Sequence, residues 1–316
     1  MRHFADPPYL HARIYALKSR LYSQSHYAGM IREPETIPGN DAGSSNPAEI
    51  RETLFRHEIA PVLAIAWTHE EYTPLFIAYL RQYETNNAKV LLAKAAGHQT
   101  INPWYDIGVF ALLSKELLKK ELSWQDVRSL LAEAYQDEKI NKLTGYRRLT
   151  LYLDFCTADS LCRCADLLSA GAADQYREMM LKRLAILVVI WSNRLKTYYR
   201  FSDEKIERFL KESLSFDYKG LENRVSLEKE NLNRRLETMR AATGQEPSVS
   251  DIEQNLEQHY YNWISSAFHR DFHAIYSVVA YLWLLYFQIR NLFKIIEGKR
   301  FGMPAATILN QMICGT

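Results

Sequence analysis

Apolar positions along this chain recur at helical spacing, and strand-type alternation is hard to find anywhere. Two runs, Leu184 to Trp191 and Ile275 to Phe287 (interrupted only by Ser277), are too continuous for half-exposed helices and read as central core helices. The longer run falls short of the roughly 20 apolar residues that a membrane span needs. The segment from Leu221 to Met239 shows the opposite pattern. It is strongly charged, with Leu232, Leu236 and Met239 at helical spacing, and reads as a solvated helix with one narrow apolar seam.

The punctuation agrees with an all-α fold. Ten prolines occur, yet none lies between Trp104 and Glu246, and that interval holds few glycines. Ser123 followed by Asp126, and Ser250 followed by Glu253, resemble helix-capping arrangements. Ser202 precedes Asp203 and Glu204, whose charges suit the positive end of a helix. Pro304 falls at a first-turn position just after Gly302, a helix stop. Residues 33–47 read as an exposed loop, and residues 242–250 as a second, shorter break.

Composition narrows the function classes. The chain has 316 residues, 47% of them hydrophobic and 24% charged, so it can bury a core without disulfides or metals. Its net charge of +2 lacks the basic excess of a dedicated nucleic-acid binder. Cys156, Cys162, Cys164 and Cys314 form no CxxC pair, and read as reduced, small hydrophobic residues in a cytosolic protein. Residues Met1 to Leu10 lack the apolar region of a signal peptide.

The chain also repeats itself weakly. Setting Asn86 on Asn291 sets Lys89 on Lys294, Lys94 on Lys299 and Gly97 on Gly302, with Val90 and Leu91 on Ile295 and Ile296. The shared pattern is an amphipathic helix with a basic last turn and a glycine stop. A degenerate third copy lies midway, where residues 201–210 parallel 303–312, Arg200 replaces the glycine and Val189 the asparagine. Three units follow: 1–122 with the loop 33–47, 123–214, and 215–316.

These residues carry a family resemblance. Tyr9-Leu-His-Ala-Arg13 with Leu17, Arg20 and Leu21, the helix Tyr83 to Gly97, and the stretch Ala280 to Ile308 resemble three motifs of the C-type subunits of V/A-type ATPases, the counterparts of the d-type subunits of eukaryotic V-ATPases. Tyr286 or Phe287 stands where the family usually has an acidic residue. The resemblance implies three similar helical domains around a pseudo-threefold axis, forming a funnel. It implies a non-catalytic role, with one face on the membrane rotor ring and the cavity receiving the tip of the central stalk. It implies no nucleotide, cofactor or metal, and a cytoplasmic protein held at the membrane through the ring. The candidate interface residues are Asn86, Lys94, Gly97, Arg194, Asn291, Lys299 and Gly302. A soluble helical scaffold unrelated to rotary ATPases is the alternative.

Other candidate chemistry is weaker. Glu297-Gly-Lys-Arg300 lacks the earlier glycine and the following Ser or Thr of a phosphate loop. His269 and His273 share a helical face and have the spacing of metal ligands, with Asp271 nearby, but Arg270 stands where a zinc protease needs Glu. They read as polar residues near a helix start. The basic pairs Arg147-Arg148 and Lys182-Arg183, with the tyrosine doublets Tyr198-Tyr199 and Tyr260-Tyr261, read as protein-interface residues in preference to nucleic-acid contacts.

Overall fold

The computed structural model describes residues 7–33, 36–38, 46–98, 102–213, 220–244, 247–270 and 275–315. Among these residues every regular element is helical. In chain order they are α1 (Pro7–Lys18), α2 (Gln24–Arg32), α3 (Pro47–Ile65), α4 (Thr73–Ala95), α5 (Trp124–Tyr135), α6 (Lys139–Lys142), α7 (Tyr146–Arg163), α8 (Ala170–Tyr199), α9 (Asp203–Ser213), α10 (Leu221–Thr243), α11 (Val249–Ala267), α12 (Ile275–Arg300) and α13 (Ala305–Asn310). Short 3₁₀ turns follow α4 and α7.

The two continuous apolar runs form the middle of α8 and the first half of α12. Helix α12 is buried on nearly every side, packed by α1, α3, α8 and α11, and α2 and α13 close over its C-terminal part. The amino-terminal helices α1 and α2 therefore rest on the carboxy-terminal part of the chain. Helix α10 lies along α8 through the predicted seam: Leu232 and Leu236 are buried and Met239 packs beside them. No helix of the described residues is long and apolar enough to cross a membrane.

Local signals place most helix starts. Ser123 and Asp126 form a reciprocal capping box, with backbone-to-side-chain bonds of 3.2 and 2.9 Å. Ser202 accepts from the Lys205 backbone N–H at 3.3 Å at the start of α9. Helix α11 starts two residues earlier than its sequence signal. Ser248 and Asp251 make its capping box, and Glu253 is turned instead to an ion pair with Arg194. Within the segment read as an exposed loop, Ile37 is buried against Tyr27, Ile31 and Leu54, because α2 and α3 leave an apolar socket there. The rest of that loop, apart from residues 33, 36, 38, 46 and 47, lies outside the described residues.

The two glycine stops aligned in the sequence end their helices in the same way. Gly97 and Gly302 both adopt left-handed backbone, with φ of 74° and 64°. In each, the next residue's N–H closes the helix: His98 to the Ala93 carbonyl at 2.9 Å, and Met303 to the Gly298 carbonyl at 2.8 Å. Arg200, aligned with Gly302 in the sequence, is also left-handed at φ 56°. Helix α9 begins three residues after Arg200, as α13 does after Gly302.

Candidate functional site

Long helices α4, α8 and α12, joined by α7, surround a cavity of about 270 Å³. Each long helix lines it near its middle: α4 with Gln82 and Asn86, α8 with Arg183 and Leu187, α12 with Tyr286 and Arg290. Aromatic rings form much of the wall. Tyr83 lies against Tyr105 at 5.6 Å between centroids, and Trp283 packs edge-on to Tyr286 at 5.3 Å. Burial pushes the Tyr83 and Tyr105 phenols up, so both stay neutral at physiological pH.

The base of the cavity is electrostatic. Arg183 grips Glu257 of α11 with two bonds of 2.7 and 3.2 Å, and Arg290 reaches the same carboxylate at 3.1 Å. Burial pushes the Glu257 carboxyl up, but the two guanidiniums outweigh it and hold it below the usual carboxylate range. The Arg183 guanidinium also sits 4.9 Å from the Trp283 ring centre and 5.3 Å from that of Tyr260. Beside this cluster, Lys89 pairs with Asp154, and Arg194 with Glu253.

This arrangement corrects the interface reading of Lys182-Arg183 and Tyr260. All three point into the interior. Lys182 is 5% exposed and donates to Glu228 of α10 at 2.7 Å, while Tyr260 is fully buried. The sequence could not show this, because the acidic partners come from α10 and α11, more than 40 residues away. Arg147 and Arg148 remain outside: Arg147 lies over the Tyr199 ring, Arg148 pairs with Glu212 at 3.0 Å, and Tyr198 is 64% exposed.

The candidate residues taken from the repeat fall into distinct environments. Asn291 is fully buried and clasps the backbone of Ile313 with two bonds, 2.8 Å to its carbonyl and 3.0 Å from its N–H. The corresponding clasp on α4 is made by Asn87, which holds Tyr105 with two bonds of 2.8 Å. Asn86, the residue aligned by sequence, lines the cavity. The clasp on α4 thus falls one residue later than the register set by Gly97 and Gly302. Lys94 is exposed and donates to the carbonyls of Leu118 and Lys120, the latter at 3.0 Å. Lys299 is exposed on the last turn of α12. Arg194 lies further back from the end of α8, stacked on Trp191 and paired with Glu253; the basic residue of that last turn is Lys196.

Gly298, inside the phosphate-loop look-alike, has a packing role. A Cβ there would sit 2.7 Å from Cγ1 of Ile308 on α13. His269 lies exposed just beyond the end of α11, while Asp271 and His273 fall outside the described residues. Among the described residues no three metal-ligating side chains come together.

The profile of the ATP synthase (C/AC39) subunit family matches residues 39–311, most of the chain. The chain belongs to that family. It is therefore a subunit of a V/A-type ATPase, from a family of structural subunits with an all-α fold. No curated protein matches the chain.

Proposed function

We propose that the chain is the non-catalytic central-rotor subunit that couples the stalk of a V/A-type ATPase to its membrane rotor ring. ATP turnover in the head is thereby linked to proton or sodium transport. The observation that carries this reading is the convergence of α4, α8 and α12 on one cavity, each contributing from its middle. Such an arrangement suits a pseudo-threefold funnel of three repeats, 1–122, 123–214 and 215–316, with the cavity facing the stalk tip.

A part that transmits torque needs stiffness. Helices packed at interior density deform little, and a large continuous core runs from α1 to α12. The ring would be held at the ends of the repeat helices, where backbone carbonyls carry partial negative charge and exposed cations gather. Lys94, Gly97, Lys299 and Gly302 lie at such ends. This reading keeps the chain at the membrane without a span of its own, and asks no cofactor of it.

The test is reconstitution of the ATPase with and without this subunit. Without it, ATP hydrolysis continues but ATP-driven ion uptake into vesicles stops, and adding the chain back restores uptake. Full ion uptake without the subunit would reject the coupling role. Joint charge reversal of Lys94 and Lys299 should weaken ring attachment at low salt more than at high salt.

A further inference from the structure

The cavity between α4, α7, α8 and α12 has an unbalanced chemistry. Arg183 and Arg290 share one carboxylate, Glu257, so two positive charges face one negative. The neighbouring charges do not correct this, since Asp154 is paired with Lys89 and Arg194 with Glu253. Gln82 adds a second, independent observation. It lines the cavity, and its buried amide nitrogen has no hydrogen-bond partner. A buried donor without an acceptor is costly and marks a place where an acceptor belongs.

We infer that the cavity binds a single carboxylate carried on a short apolar body, with Arg290 and Gln82 as its donors. One surplus positive charge matches a monoanion better than a phosphate. Guanidinium and carboxylate pair through strong charge-assisted bonds. The rings of Tyr83, Trp283 and Tyr286 supply an apolar wall for the rest of the ligand. At about 270 Å³ the cavity stands near the lower end of the roughly 300–1,000 Å³ of ligand pockets. It fits a few side chains or a small molecule. The same chemistry has two sources: the acidic end of the stalk partner's chain, or a free carboxylic acid. The first source rests on the coupling role proposed above; the carboxylate site itself does not.

The experiment is calorimetric titration of the purified chain with 3-phenylpropionate, its amide, and inorganic phosphate. A hexapeptide of Ala and Leu is added in two forms, with a free and with an amidated carboxyl end. The acid is expected to bind at least tenfold more tightly than the amide and than phosphate. Arg290→Met should weaken it at least tenfold, and Gln82→Leu several-fold. Lys211→Gln, on the exposed face of α9, should leave it unchanged. Arg290→Met keeps the two-bond Arg183–Glu257 pair, and an unchanged circular dichroism spectrum would verify its fold. Should only the variant's fold fail, the acid-to-amide ratio of the unaltered chain still decides. Binding of the free-acid peptide as well as the small acid points to a chain end, and binding of the small acid alone to a free ligand; either upholds the site. Equal affinity for acid and amide, equal affinity for phosphate, or no binding would overturn it. Such a failure would leave ion uptake in the reconstitution untouched, so the two proposals fail separately.

Discussion

Asn291 holds Ile313 by both of that residue's backbone hydrogen-bonding groups, across 22 residues of chain. An asparagine amide has the donor and acceptor layout of a peptide group, so it takes the place of a missing strand neighbour. Asn87 does the same for Tyr105. In both places the segment that follows the long helix is thereby folded back along it.

Replacing Asn291 leaves a buried N–H and a buried C=O without partners. Asn291→Ala and Asn87→Ala should each destabilise the chain by about 2–6 kcal/mol, from two unmet backbone groups at roughly 1–3 kcal/mol each. Asn86→Ala should cost under about 0.5 kcal/mol, as for an ordinary partly exposed position. Urea unfolding of the three variants checks this. A costly Asn86→Ala with a mild Asn87→Ala would assign the clasp to Asn86 instead.

Gly298 tests the closure of α13 over α12. A methyl group there meets Ile308, which is 1% exposed and has little room to withdraw. Gly298→Ala should cost about 1–3 kcal/mol by overpacking. In an Ile308→Ala background the same change should cost much less, because the obstructing carbons are gone. Equal costs in both backgrounds would remove the steric explanation.

The Arg183–Glu257–Arg290 cluster sets an acid limit. The folded Glu257 carboxyl titrates below its unfolded value of about 4.3. Its contribution is therefore fully present above pH ~4.3 and is lost as pH falls through the lower folded pKa. Glu257→Gln should be less stable at pH 7, and its acid unfolding curve should be flatter below pH ~4.3. An unaltered curve would show that the carboxylate is not favoured by its neighbours.

Lys294 predicts a slope of the same sign in a separate, alkaline window. Burial, followed by the nearby Arg290 charge, pushes its ammonium down to about 8. Between about 8 and the unfolded value of about 10.4 the folded state has released a proton that the unfolded chain still holds, so stability rises with pH there. Lys294→Met should abolish that rise in pH-dependent melting. A Lys294 titration near 10.4, followed by NMR of its side-chain carbon, would contradict the assignment.

Much of the architecture is legible in sequence because it is local. The runs Leu184–Trp191 and Ile275–Phe287, the Ser123–Asp126 box and the stops at Gly97 and Gly302 need no distant partner to declare themselves. Arg200 is instructive: it lacks glycine's freedom, yet the chain still turns left-handed there, at the end of α8. The cavity is not legible. Gln82, Arg183 and Arg290 come from three helices, and Glu257, which makes their charge balance meaningful, from a fourth. Only tertiary packing brings such a set together. For the same reason Lys182 reads as a surface cation in the sequence, where nothing places Glu228 opposite it.

The most direct test of the coupling role is recovery of the tagged chain from gently detergent-solubilised membranes of its own source, with the bound subunits identified by mass spectrometry. The coupling role predicts that a small, very hydrophobic ring subunit is recovered with stalk and head subunits. Recovery of the chain with head subunits but never with the ring or stalk, or in isolation, would contradict it.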